Sequence, residues 1–226
     1  GGGYLEVECS ERYALNPYPV KSRFFLKPEV FDADIMAFLT SLLERMLSEP
    51  RKLTPVESRL LERAVLEVYR QIPEGTTPLL SDIRRVLSDY CFTDEEDKSR
   101  AHQFSKSLSI WTEGRFGRLL DRPGTLSLDN RFLVFDLSKL THHPELQSIL
   151  FFVIRGALTR KLEDLSLRKV IVIDEGWRFF DDEVGTVLIQ ELYRTARKHN
   201  GMVLSISQSP EDFIQSKAST AILVNS

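Results

Sequence analysis

The 226-residue sequence is poor in the residues on which thiol and zinc chemistry depend. It has two cysteines, Cys9 and Cys91, which lie far apart and form no CxxC pair, and four histidines without HExxH spacing. A disulfide framework and a zinc site are therefore not expected, and a reducing compartment is the simplest interpretation. The longest apolar run, "SILFFVI", ends at Arg155 and is too short to span a membrane.

The sequence also lacks a large excess of charge of either sign. Its 30 Lys and Arg residues face 33 Asp and Glu residues, which leaves a net charge of −3. This balance argues against a protein that neutralises nucleic-acid phosphates over its whole surface, although a local basic patch remains compatible with it. A hydrophobic content of 42% is enough for a core and excludes a disordered chain.

A third absence concerns the phosphate-binding loop GxxxxGK[ST]. None of the 11 glycines is followed by Lys, so the sequence contains no such loop to cradle phosphates with backbone N–H groups. The sequence begins abruptly at "YLEVEC" and ends abruptly after "AILVNS". We therefore expect it to be a piece of a larger protein.

Three blocks of different pattern follow one another along the chain. Residues 1–53 contain a short strand at 4–7, the segment "LNPYPV" and a helix over about 32–49. Residues 54–113 are predicted to be all-helical, with helices that begin at Thr54, near residue 79 and near residue 100. This helical block is expected to be an inserted subdomain; the alternative is a helical extension with no role beyond stability.

The third block, residues 114–226, alternates strands with helices. Apolar strands are predicted at 131–137, 169–174 and 202–207, and helices over 144–163 and about 183–199. Gly201 is expected to be the left-handed residue that ends the second helix. The apolar segment "AILVN" follows at the end of the alternating block. Nearly continuous apolar strands with helical crossovers indicate parallel strands that are buried on both faces. The predicted fold class is therefore α/β.

The strand "KVIVID" runs directly into two carboxylates, Asp174 and Glu175. One interpretation is the solvated turn that follows any strand. The other is a Walker B segment, in which the Asp belongs to the shell of a nucleotide-bound Mg²⁺ and the Glu orients the attacking water. The carboxyl ends of parallel strands meet at one edge, where Asp136 and Gln208 would also lie. Gln208 is suited to contact a γ-phosphate, or it caps the turn after it.

The helix before the last strand carries a basic cluster, Arg194, Arg197 and Lys198, at spacings of three and four residues. Cations near a helix C-terminus complement its dipole, which is the simpler interpretation. The alternative is that they are arginine fingers or phosphate ligands for the nucleotide of a neighbouring subunit.

The stretches "VIVIDEGWRFF", "ELYRTARKHNG" and "SISQSPEDF", in this order, resemble the Walker B region, the Arg-rich helix and the Gln motif of TraC/VirB-type ATPases of conjugation and type IV secretion. "LNPYPV" and the segment from Glu113 to Leu140 also resemble that family, so the similarity extends over nearly the whole chain. The family belongs to the FtsK/HerA-like P-loop motors. The resemblance implies a RecA-like core with a parallel sheet and an inserted all-α subdomain.

The resemblance also implies a function. It assigns Asp174 to the binding of Mg²⁺ and nucleotide, and Lys198 to the binding of nucleotide. It assigns four residues to catalysis, namely Glu175, Gln208, Arg194 and Arg197. It implies ATP and Mg²⁺ as cofactors, a homo-hexamer, and a cytoplasmic location at the face of the bacterial inner membrane. Other inner-membrane secretion components and the coupling protein are the expected partners, with DNA contact a minor one. In the family the phosphate loop precedes the "NP" segment, so this chain alone is expected to be inactive.

Two other functions stay open at this point. One is an assembly or docking module of the secretion apparatus that hydrolyses nothing. The other is a HerA-like DNA translocase, which the net acidity and the lack of an aromatic and basic stripe disfavour.

Overall fold

The structure is a computed structural model. It describes residues 2–6, 14–27, 30–47, 51–89, 94–124, 131–138, 143–175, 183–209, 211, 214 and 218–225. Both cysteines, Gly176 and Trp177 lie outside these ranges. The chain divides into two compact units, residues 1–143 and 144–226, and each is described by itself.

The first unit is mainly helical within the described residues. Its elements are β1 (Gly2–Glu6), α1 (Lys21–Phe24), β2 (Phe25–Lys27), β3 (Val30–Phe31), α2 (Ala33–Leu47), α3 (Pro55–Gln71), α4 (Leu80–Asp89), α5 (Glu95–Ser107), α6 (Ser109–Thr112), α7 (Gly114–Leu120) and β4 (Phe132–Asp136). Strand β1 pairs in parallel with β4, and β2 pairs antiparallel with β3.

Capping side chains mark the starts of α3 and α5. Thr54 and Glu57 form a capping box at the start of α3, and Pro55 occupies the first turn, as the sequence predicted. Asp94 caps α5, which begins at Glu95 rather than near residue 100 as expected. The acidic run at 95–97, which lies before the predicted start of this helix, instead forms its first turn and complements its dipole.

The extended "LNPYPV" segment is bound to the helices of the same unit. The backbone N–H of Leu15 donates to the carbonyl of Leu119 at 2.7 Å, and Nδ2 of Asn16 donates to the carbonyl of Pro78 at 2.9 Å. Residues 14–19 therefore lie against the helical block. The division of the chain at residues 53 and 113 stays a prediction.

The second unit contains the alternating elements. They are α8 (Pro144–Glu163), β5 (Lys169–Ile173), α9 (Glu183–Thr195), a 3-10 helix (Ala196–His199), β6 (Gly201–Ser205) and α10 (Ser219–Asn225). Strands β5 and β6 are parallel, with Lys169 opposite Gly201 and Ile173 opposite Ser205. The predicted bounds of α8 and the parallel crossover through α9 are confirmed.

One face of the β5–β6 pair packs on a core built from both strands and three helical segments, with Ile173, Leu188, Ile189 and Leu192 at its centre. The other face is apolar and exposed; it carries Val170, Val172, Met202 and Leu204. Burial therefore alternates along both strands, where the continuous apolar pattern predicted burial on both faces. Among the helices in the described ranges, none is both long and apolar enough to cross a membrane.

One local expectation for this unit is wrong. The left-handed residue after the 3-10 helix is Asn200, at φ 54°, and not Gly201. Gly201 begins β6, and a Cβ there would lie 3.0 Å from the Ala196 carbonyl oxygen and 3.2 Å from Leu162 Cδ2, so close packing explains this glycine. The apolar segment 221–225 is helical, because Ala218 and Ile222 pack into the core from one helix face.

Candidate functional site

Strand β5 ends at the acidic pair. Asp174 is exposed and Glu175 is half-buried, directly after the buried Ile173. The backbone N–H of Ile206 donates to the carbonyl of Ile173 at 2.8 Å, which extends the pairing of β5 and β6 to the end of both strands. The chain that leaves β6 therefore lies beside the carboxylates.

Glu175 has an unusual backbone conformation, with φ at 52°. The left-handed region costs a residue with a side chain about 1–2 kcal/mol, and glutamate has no local device, as asparagine has, to offset that cost. The Glu175 N–H donates to Oδ1 of Asp174 at 3.0 Å, so the first carboxylate holds the turn. Backbone strain of this kind concentrates at functional sites and supports a functional interpretation of Glu175.

Gln208 lies within hydrogen-bond distance of Glu175. Its Nε2 donates to Oε1 of Glu175 at 3.1 Å, across 33 residues of sequence. The sequence placed both residues at one edge of a sheet but did not predict this contact. A neutral amide here orients the carboxylate and leaves its negative charge in place, which suits a group that must polarise water.

Tyr193 is a supporting residue that the sequence analysis missed. Its hydroxyl donates to Oγ of Ser205 at 2.9 Å, at the last position of β6. Its ring packs against the core beneath the strands, so the bond ties α9 to the strand end that leads to Gln208. The only signal in the sequence was one polar residue on the apolar face of the helix.

The basic cluster lies at the opposite edge of the strand pair. Arg194, Arg197 and Lys198 are exposed in the last turn of α9 and in the 3-10 helix. The carbonyl of His199 accepts a bond of 2.9 Å from Nζ of Lys169, the first residue of β5. Five residues of strand separate this edge from Asp174, which is about 16 Å at 3.3 Å per residue. The cations and the carboxylates of one chain are therefore not neighbours within this unit.

The acidic pair has the chemistry of a magnesium site completed by a nucleotide. Within the described ranges there is no group of three or more His, Cys, Asp or Glu side chains that could hold a metal alone. Mg²⁺ in nucleotide enzymes takes one or two carboxylates, and phosphate oxygens and water supply the rest. The exposed carboxylate of Asp174 fits that role. Asp136, expected in the same row, ends β4 in the first unit, where it accepts a bond of 3.0 Å from the Ser138 N–H.

Comparison with known proteins decides the family. The model of the TraG P-loop domain matches residues 1–226. The chain belongs to this family. Protein TraC of Escherichia coli is 33% identical over 132 residues, which is 55% of this chain and 15% of that protein. The type IV secretion system protein VirB4 of Brucella abortus is 25% identical over 248 aligned positions, covering 99% of this chain and 26% of VirB4.

A solved structure agrees with the fold. VirB4 of Thermoanaerobacter pseudethanolicus superimposes with a TM-score of 0.68 at 24% sequence identity, over 97% of this chain and 60% of that one. The predicted RecA-like P-loop fold and the resemblance to TraC and VirB proteins are thus confirmed. This member of the TraG P-loop domain family spans between about a seventh and a quarter of the length of the curated relatives.

Proposed function

We propose that this chain is part of the ATP-hydrolysing domain of a motor that energises type IV secretion, whether in conjugative DNA transfer or in pilus assembly. The observation that carries the proposal is the bond between Gln208 and Glu175, beside Asp174 at the end of a parallel strand. In a P-loop family this edge is where nucleotides bind.

The three residues have separate roles in this proposal. Asp174 would hold a Mg²⁺, which would supply positive charge to offset that of the ATP phosphates. Glu175 orients the attacking water and draws its proton through a carboxylate oxygen. Gln208 holds Glu175 in place and reaches the γ-phosphate or the water through its amide. The strained turn at Glu175 keeps the carboxylate aimed outward from the strand.

We propose that Arg194 and Arg197 act on the nucleotide of a neighbouring copy and that Lys198 binds its phosphates. The separation of about 16 Å within one chain supports action in trans. A closed ring, expected to be a hexamer, would place the basic edge of one copy against the carboxylate edge of the next. Interaction with the helix dipole alone is the competing explanation of the cations.

The whole protein is proposed to work in the bacterial cytoplasm at the inner-membrane face, with inner-membrane secretion components and the coupling protein as partners. We propose that the present chain alone binds ATP weakly and does not hydrolyse it. The reason is that its sequence contains no GxxxxGK[ST] loop, which would supply most of the phosphate contacts.

Two alternatives differ in measurable ways. A docking module would show no hydrolysis in the full-length protein. A HerA-like translocase would bind DNA with a steep dependence on salt, since phosphate contacts release counterions. Of the two, the net charge of −3 disfavours the translocase.

The test is ATP turnover by the full-length protein with Glu175→Gln. We expect kcat to fall by about 100- to 10,000-fold while nucleotide affinity is retained, because the carboxylate that polarises water is lost and Asp174 remains. Glu163→Gln, which removes an exposed carboxylate at the end of α8, is the matched control and should leave turnover unchanged. Full activity of Glu175→Gln would refute the assignment.

A further inference from the structure

Helix α8 carries an arginine in the middle of its apolar stretch. Arg155 directly follows the run "SILFFVI", and its neighbours Ile154 and Ala157 are each only 6% exposed. The Arg155 side chain itself is 31% exposed. A charge that is largely covered by protein requires a partner.

The partner is Glu191 on α9. Nε of Arg155 donates to Oε2 of Glu191 at 2.7 Å, and Nη2 donates to Oε1 at 2.5 Å. One guanidinium therefore occupies both oxygens of the carboxylate, which is the strongest arrangement that an arginine and a carboxylate can form. The Glu191 side chain remains 42% exposed, so the pair lies at the surface of the second unit.

The position of Glu191 on its own helix makes this pairing consequential. Arg194 follows it by three residues, a spacing at which side chains are neighbours on a helix and opposite charges attract. Thr195, four residues on, instead donates its hydroxyl to the Glu191 carbonyl at 2.6 Å. Arg194 is nevertheless exposed, and it has no carboxylate partner in the part of the chain that the structure describes.

We propose that Arg155 is a positioning residue that occupies Glu191 and thereby leaves Arg194 available to the nucleotide of a neighbouring copy. Arg155 does not touch that nucleotide; it acts through Glu191. Without it, the carboxylate would draw Arg194 back along its own helix. The inference rests on the proposed action of Arg194 in trans, and it adds the residue that keeps this cation extended.

The competing explanation is that the pair only ties α8 to α9. The two explanations differ because the pair can be broken from either side. Loss of Glu191 and loss of Arg155 remove the same tie, but only the second leaves a carboxylate beside Arg194. A tie predicts equal losses of activity, whereas occupation of Glu191 predicts a loss from one side alone.

The test is ATP turnover by the full-length protein with Arg155→Met, Glu191→Gln and the double variant. An opposite-charge pair at this helical spacing favours contact by about twofold, so about two thirds of the Arg194 side chains would be captured in Arg155→Met. Its kcat should therefore fall about threefold. KM for ATP should not change, because a group that acts only in the transition state alters kcat. Glu191→Gln and the double variant should both turn over ATP like the wild type.

Matched controls separate this inference from the proposed function on which it rests. Arg100→Gln removes an arginine from an ion pair with Glu96 in the first unit and should leave turnover unchanged. Arg194→Ala and Arg197→Ala test the arginines themselves in the same assay. Circular dichroism of each variant shows whether it is folded.

Three results would overturn the inference. The first is equal loss of turnover or of folding in both single variants without recovery in the double variant, which would make the pair a structural tie. The second is wild-type turnover of folded Arg155→Met. The third is full activity of Arg194→Ala; if Arg197→Ala is also fully active, the proposed action of the arginines fails as well. An inactive Arg194→Ala together with an active Arg155→Met would contradict the inference alone.

Discussion

The backbone strain at Glu175 can be measured as free energy of unfolding. Glycine populates positive φ without steric cost, so Glu175→Gly should recover the penalty of about 1–2 kcal/mol that φ 52° imposes. The same change also makes the unfolded chain more flexible, which costs about 0.5–1 kcal/mol. The net change at residue 175 should therefore be between zero and a gain of about 1.5 kcal/mol.

A second glycine substitution serves as a control for the flexibility that glycine adds to the unfolded chain. Glu163 is exposed in the same unit and is not among the residues with positive φ, so Glu163→Gly has the entropic cost without relief of strain. Both changes are made in a Gln208→Ala background, which removes the bond to Glu175 from the comparison. The difference between the two free energies should equal the strain, about 1–2 kcal/mol in favour of Glu175→Gly.

Urea denaturation followed by circular dichroism gives the free energy of unfolding of each glycine variant from the midpoint and slope of its curve. Equal destabilisation by the two glycines would show that residue 175 has no left-handed strain. In that case the argument that strain keeps the carboxylate aimed outward would fail, although the contact with Gln208 would remain.

Two further predictions concern the capping box and the nucleotide. Hydrogen bonds from Arg51 lower the pKa of Glu57 to about 2 from its ordinary 4.5, so its contribution to stability is complete above pH 4.5 and is lost as the pH falls toward 2. Glu57→Gln should flatten that loss in acid denaturation curves and should cost about 1 kcal/mol at neutral pH; an unchanged acid slope would refute the assignment. Calorimetric titration of this chain with ATP and Mg²⁺ should detect no micromolar site, and finding one would contradict the proposed role of the missing loop.

Local patterns in the sequence predicted the elements whose causes are local. Helix α8 was predicted with its observed bounds, and Thr54 was predicted as the cap of α3. Each of these signals involves residues only a few positions apart: a cap residue, a proline in the first turn, or a strand of branched apolar residues. They can therefore be recognised without knowledge of the rest of the fold.

Features that depend on contacts between distant residues were missed. The helical state of 219–225 follows from the packing of Ile222 into the core, which an apolar run alone does not specify. Asn200 takes the left-handed position, and the close approach of Ala196 and Leu162 to Gly201 is a tertiary contact that the sequence does not reveal. The bond between Gln208 and Glu175 depends on the register of β5 against β6, which no single segment encodes.

The proposed site was only partly predictable for the same reason. The predicted strand ends located Asp174, Glu175 and Gln208, the helical spacing located the arginines, and the resemblance assigned their roles. The distance of about 16 Å between the two edges required the parallel pairing itself. That separation changes the interpretation of the basic cluster, because it favours action on another copy.

The most direct test of this arrangement is ATP hydrolysis by mixed rings of the full-length protein. Glu175→Gln and a variant that combines Arg194→Ala with Arg197→Ala should each be inactive, with losses on the order of a thousandfold for the arginines. On mixing, some interfaces would join an intact Glu175 to intact arginines, and we predict partial recovery of turnover. Two variants that assemble together yet recover no activity would contradict the account, and the arginines would then act within their own chain or only complement the helix dipole.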